Sequence, residues 1–261
     1  IGVGLVGSEM CIRDRCKACH KTFSSHTFSI LYRQKKPYLN EMTKKLLTNT
    51  VSIRGAARVL GCSYSTAYRK FLFVGEECKK ENKKQRNALC EQLEDLYFDE
   101  LLTIEHTKLK PVSVPVFVDQ DYKIVGIGAA QSRYSGPLAP FALKKYGIRK
   151  DLSKIKLKEI AKTLNTARPK KILSDANPEY GEIIKSLFPN SEYLQVPSRI
   201  TKQEPHRGKK KFDPIFRVNQ RCAFLRAKVN RLVRRTWNTT KSIHNLSLHL
   251  EILVNAINCE A

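Results

Sequence analysis

Between residues 96 and 131 the apolar positions fall into three closely spaced runs, LYFDELLTIEHTKLKPVSVPVFVDQDYKIVGIGAAQ. Residues 97–104, 112–118 and 123–130 are rich in β-branched and aromatic side chains. Pro111 and Asp119-Gln120-Asp121 punctuate them, which predicts three strands joined by short turns. On either side the apolar period lengthens to that of a helix. Leu39, Met42, Leu46 and Leu47 mark a helix over 38–48. In VSIRGAARVLGCSYSTAYRKFLF, Ser52 caps a helix with the face Ile53, Ala56, Ala57, Leu60. Gly61 ends it, and Ser63 caps a second helix to about Phe73. Residues 76–95, rich in Lys, Glu and Gln, read as an exposed helix or linker.

Further along, residues 136–146 and 152–164 have helical spacing, the latter through Leu152, Ile155, Leu157, Ile160 and Leu164. Residues 170–174 form a short strand ending in Asp175. A helix over 180–187 stops before Pro189, and a last strand covers 191–196. Three strands close enough to be antiparallel, then a strand–helix–strand crossover, give an α/β mixed sheet flanked by helices. That order is the ribonuclease H-like one. The chain divides into residues 1–15, 16–34, a helix-turn-helix over 36–75, a linker over 76–95 and the large domain over 96–258.

Composition narrows the partners. Lys and Arg number 48 against 24 Asp and Glu in 261 residues, a formal net charge of +24. Such an excess points to a polyanion, most simply nucleic acid, while 41% hydrophobic content supports a packed core rather than a charged tail. No run of eighteen apolar residues exists, so no membrane span is expected. Eight cysteines without a framework fit reduced thiols in a cytoplasmic, nucleoid-associated setting. Residues 1–15 lack periodicity. VGSEMCIRDR resembles translated sequencing-adapter DNA, which makes 1–15 a non-native segment standing where a longer N-terminus would be.

The candidate chemistry lies in acids, cysteines and basic stripes. Asp99 and Glu100 interrupt an apolar strand, where a charge must be exposed, paired or bound to a cation. Asp175 ends its strand, where it either caps the next turn or joins a ligand site, since ligands collect at strand ends in such sheets. The expected strand order brings Asp99 beside Asp175, 76 residues away, and two carboxylates in one place call for a cation, Mg²⁺ or Mn²⁺. In RCKACHKTFS, Cys16 and Cys19 look like one half of a zinc ribbon whose second ligand pair lies upstream; Cys11 and His20 are poorer candidates. If the two short helices read DNA, Tyr64, Ser65, Tyr68, Arg69 and Lys70 face its groove or phosphates. The segment 201–211, TKQEPHRGKKK, is a solvated loop or lies under a phosphate strand. Beyond it, Val218, Cys222, Leu225, Val229, Leu232 and Val233 form a core stripe. Arg217, Arg221, Lys228, Arg231 and Arg235 form a second stripe suited to a phosphate backbone, and Asn219, Arg226 and Asn230 lie on the other flank.

Those last residues carry a family resemblance. Leu225-Arg226, Arg231-Leu232, Arg235-Thr236 and Thr240-Lys241-Ser242 resemble the C-terminal signature of DDE-type insertion-sequence transposases of the zinc-ribbon group. FDELLTIEHTKLKPVSVPV and SDANPEY are similar to the first two catalytic blocks of a related branch. The resemblance implies a homo-oligomer on double-stranded DNA that cuts and joins it with a divalent metal held by Asp99, Asp175 and a third residue, with Arg226 in the site. The family's Glu falls on Asn219, 44 residues after Asp175. The amide oxygen would then ligate, with Glu100 or Asp213 making up the missing charge. A catalytically inactive DNA-binding regulator, or a nuclease that cleaves without joining, are the alternatives.

Overall fold

The computed structural model describes residues 14–164, 166–197, 213–232 and 238–260. Most of the segment over 1–15, the basic loop over 201–211, and Val233 and Arg235 lie outside them. Asp14 and Arg15 are described, and they form β1 (Asp14–Arg15), paired antiparallel with β2 (Thr22–Phe23) across a tight Cys16–Cys19 turn. The last two residues of the segment set aside as non-native thus take part in local structure.

Three short-loop helices follow. They are α1 (Leu39–Leu47), α2 (Ile53–Val59) and α3 (Tyr64–Glu91). The Ser52 and Ser63 hydroxyls accept the N–H groups of Gly55 and Thr66, capping α2 and α3 at their starts. Gly61 has φ +58, the left-handed conformation that lets the chain turn between them. The expected stop near Phe73 is absent. α3 runs unbroken for 28 residues, about 42 Å, because nothing after Phe73 breaks it and a partner helix covers its continuation. That partner is α8 (Ile243–Glu260). Leu248 and Ile252 pack on Phe71, Val74 and Cys78. A Cβ on Gly75 would lie 2.9 Å from the Leu248 Cβ, so the two backbones approach where glycine permits. Lower down the contact is polar, with Asn82 Nδ2 donating to Glu251 Oε2 at 2.7 Å and Asn255 Nδ2 donating to Asn82 Oδ1 at 3.1 Å. These matched polar groups explain why a half-buried helix looked like a linker.

The sheet is mixed and six-stranded. Its strands are β3 (Asp95–Glu105), β4 (Thr107–Val118), β5 (Ile124–Ile127), β6 (Ala130–Gln131), β7 (Lys171–Asp175) and β8 (Glu192–Val196). Their order is β5-β4-β3-β7-β8, with β6 also on β4. β3, β4 and β5 are antiparallel neighbours, whereas β7 and β8 run parallel to β3. The β3–β4 turn is at His106, not at Pro111 as the punctuation suggested. Pro111 and Pro115 lie inside β4, where the outer neighbour is interrupted. Pro115 falls between the residues paired to β6 and those paired to β5, and Pro111 just precedes the β6 pairing.

Helices cover both faces. α5 (Ser153–Thr163) and α6 (Tyr180–Leu187) bury Leu157, Ile160 and Ile184 against Leu96, Phe98, Phe117 and Ile172. On the opposite face, α7 (Phe216–Lys228) and α8 bury Val218, Cys222, Leu225, Leu246 and Leu250 against Tyr97, Leu101, Val116 and Leu173. α8 therefore belongs to both the sheet core and the N-terminal helical cluster, so the two expected units share one buried helix. α4 (Ala139–Tyr146) follows a short 3-10 turn, and α7 ends at Lys228 before another at Asn230–Leu232. No helix among the described residues is long and apolar enough to cross a membrane.

Candidate functional site

Strand alternation divides the two acids of β3 between the faces. Asp99 follows Tyr97 on the α7/α8 face, and Glu100 follows Phe98 on the α5/α6 face. The parallel pairing matches Tyr97 to Leu173 and Phe98 to Ser174. One further step sets Asp99 beside Asp175, on strands about 4.8 Å apart. Leu173 faces α7 and α8, so Asp175, two residues on, shares the face of Asp99. β7 ends there, and farther along the same edge of β3 Glu105 bridges Thr240.

Both acids are half-buried. Burial pushes the Asp99 carboxyl above the ordinary range, and the charge of Asp175 adds to that. The N–H of Glu100, 2.7 Å from Asp99 Oδ1, and the Arg226 guanidinium oppose it. Burial likewise raises Asp175, against the backbone N–H of Asn177. Asp175 Oδ1 is buried and accepts no hydrogen bond. A carboxylate oxygen removed from water without a donor is costly unless another ligand completes it.

α7 supplies the roof. Burial, followed by the charge of nearby Asp99, pushes the Cys222 thiol up to about 12. Asn219 lies one turn before Cys222 and Arg226 one turn after it. Asn219 Nδ2 donates to Asp213 Oδ2 at 2.8 Å, which fixes its amide and leaves Oδ1 as the acceptor without a donor among the described residues. Asp213 also accepts the N–H of Ile215 at the start of α7. Its carboxylate therefore holds the helix end and Asn219. No hydrogen bond joins Asn219 to Asp99 or Asp175. Among the described residues, no three His, Cys, Asp or Glu side chains converge as a metal site.

Glu100 is not a third member of the pair. It lies across the sheet, where Ser113 Oγ donates to its Oε2 at 2.8 Å. Two further contributors escaped the sequence pattern, the Asn177 N–H and Cys222. Tyr180 is buried on the α5/α6 face with Glu100, and its phenol is driven upward by burial and then by Glu100 and Asp175. Asn177 sits two residues after Asp175, so the SDANPEY segment itself carried that signal.

At the Cys16–Cys19 turn the Cys16 sulfur receives the N–H groups of Cys19 and Ala18, which lower its pKa. That favours the thiolate a metal needs.

The basic stripe expected on α7 is broken up. Arg217 stacks over Tyr97 and Tyr122, with its carbon Cζ 5.0 and 5.4 Å from the ring centroids, and donates to Gln120 O and Tyr97 OH, both at 3.0 Å. Arg221 donates to Tyr122 O. The two clamp the β4–β5 turn, where Tyr122 has φ +64, instead of facing solvent. Lys228 donates to Asn49 Oδ1 at 3.4 Å, and Arg231 leaves the stripe because α7 has already ended. Of the residues expected to face DNA, Tyr64, Ser65 and Arg69 are exposed. Lys70 is buried, its Nζ donating to Gln34 Oε1 at 2.8 Å, and Tyr68 OH pairs with Asn245, so neither is presented to a groove.

No protein-family model matches the chain, and no curated protein sequence matches it.

Proposed function

We propose that this chain is a transposase that binds the ends of a mobile DNA element and performs divalent-metal-dependent cleavage and strand transfer. The observation that carries this reading is the juxtaposition of Asp99 and Asp175 on one sheet face, with a buried, unpartnered oxygen on Asp175. The strand order β5-β4-β3-β7-β8 supports a ribonuclease H-like catalytic domain. Two carboxylates and the Asn219 amide oxygen suit an oxygen-preferring ion, Mg²⁺ or Mn²⁺. When bound, such an ion polarises a phosphodiester and eases deprotonation of the attacking hydroxyl. Asp99 and Asp175 would hold it, and because Asn219 Nδ2 is engaged by Asp213, the Asn219 amide oxygen would be the atom offered to it. Arg226 adds positive charge beside Asp99, where a phosphate oxygen would lie. Cys16 and Cys19 form half of a zinc site, and α2 with the start of α3 forms the end-binding helix-turn-helix. The active form on DNA is a homo-oligomer.

A strand-transfer assay with the DNA ends flanking this reading frame tests the proposal. Wild type joins them in Mg²⁺ and Asp175→Ala does not; equal joining by both would defeat it. One observation favours a second reading, a DNA-binding regulator without catalysis: the third position is the neutral Asn219. That reading predicts end-specific binding with no metal-dependent cleavage.

A further inference from the structure

A cavity of about 230 Å³ opens between the N-terminal helices and the segment after α7. Arg54, Tyr64, Asn230, Arg231, Lys241 and His249 line it, and among the described residues no carboxylate does. Arg231 is half-buried, its guanidinium 5.9 Å from the Phe71 ring centroid, and it has no carboxylate partner among the described residues. A cation withdrawn from water is costly unless an opposite charge meets it. The inner wall is unmatched as well. His249 is 1% exposed, and its Nε2 lies 3.0 Å from Leu47 O, an acceptor, so Nε2 carries the ring proton. Nδ1 is then a bare acceptor with no partner, suited to a water carried in with a ligand. The described wall thus offers three cations, two amides, two hydroxyls and a phenol, and lacks the one group that would balance them.

We infer that this cavity binds one phosphate group of a DNA backbone. The planar fork of Arg231 matches two phosphate oxygens, and Lys241 and Arg54 close on the same charge from the rim. A backbone phosphate is favoured over a free one because Arg58, one helical turn after Arg54 on α2, adds a second exposed cation beside the rim. The clasp lies apart from the Asp99–Asp175 pair and joins α2, α3 and α8, so it would fix DNA relative to the sheet. It rests on the DNA partner of the proposed function but not on catalysis.

The test has two arms, both on the full chain in chelator so that no cleavage contributes. In the first, inorganic phosphate raises the melting temperature of wild type beyond a chloride control of equal ionic strength, and fails to do so for Arg231→Gln. In the second, anisotropy of a labelled duplex shows Lys241→Ala and Arg54→Ala binding about tenfold more weakly, the loss of one charged hydrogen bond. Lys158→Ala, on α5 across the sheet, changes affinity less than about twofold. If Arg231→Gln does not fold, judged by circular dichroism, the two rim variants decide. Equal losses in all three lysine and arginine surface variants would overturn the assignment. So would phosphate stabilisation with unchanged duplex affinity, which identifies a free-anion site. Asp175→Ala, retaining duplex affinity while losing strand transfer, separates failure here from failure of the catalytic reading.

Discussion

Asp99 and Glu100 are consecutive residues of one strand, and the two faces of the sheet treat them in opposite ways. Burial raises the pKa of both. On the α5/α6 face, Glu100 receives a hydroxyl from Ser113. On the α7/α8 face, Asp99 receives a second carboxylate, and that second acid keeps a buried oxygen without a donor. One acid is completed by the fold, whereas the other pair is left for something else to complete. Burial alone does not mark a reactive carboxylate; the missing donor does.

Removing the pair's charge should have the largest effect. Asp99→Asn and Asp175→Asn each lower strand-transfer rate at least about a hundredfold, the scale on which loss of one preorganised electrostatic group is felt. Both fold, and both melt at or above the wild-type temperature at neutral pH, since like-charge repulsion is relieved. Retained activity with lowered stability in Asp175→Asn would make the pair structural and erase the contrast with Glu100.

Metal addition comes next. At a concentration one hundred times its dissociation constant, Mg²⁺ stabilises wild type by about 2.7 kcal/mol, read as a melting shift. Asp99→Asn and Asp175→Asn lose that shift and Glu100→Gln retains it. An equal shift in all four proteins would mean that the ion binds elsewhere.

Part of this contrast was legible before any coordinates. The strand–helix–strand order brought Asp175 toward Asp99, whereas Glu100 stood as a candidate for the same site although strand alternation sets consecutive residues on opposite faces. The Ser113 hydroxyl was not legible, because it depends on the β3–β4 register, which is set by a turn at His106 rather than at Pro111. The arginines of α7 misled for a related reason. A helical wheel shows that Arg217 and Arg221 share a side, but their satisfaction by Tyr97, Gln120 and Tyr122 comes from residues about a hundred positions away. The continuation of α3 was obscured likewise, since Asn82 meets Glu251 and Asn255 of α8 in place of an apolar partner.

The completed side of the comparison is tested by removing its donor. Ser113→Ala leaves Glu100 buried without the hydroxyl and should cost about 1–3 kcal/mol of stability by chemical denaturation at neutral pH. The cost shrinks at acid pH, where Glu100 becomes protonated. Strand transfer per folded molecule stays within about threefold of wild type, because the loss is about one weak contact rather than a reacting group.

The smallest effect separates charge from shape. Burial is the main cause of the raised Glu100 pKa, and it outweighs the Ser113 hydroxyl that lowers it. A carboxyl whose folded pKa lies above its unfolded 4.5 binds its proton more tightly when folded. Its contribution to stability is therefore complete below pH 4.5 and falls as pH rises through the folded value. Glu100→Gln keeps an acceptor for Ser113 and carries no charge, so it copies the protonated acid. The variant and wild type should be equally stable below pH 4.5, then diverge as pH rises, with the variant ahead by no more than about 1 kcal/mol, the size of one net hydrogen bond. Denaturation midpoints measured from pH 4 to pH 8 give the sign directly. A variant that is less stable than wild type at neutral pH would mean that the Glu100 charge is itself held by the fold, and the two faces of β3 would then differ in degree rather than in kind.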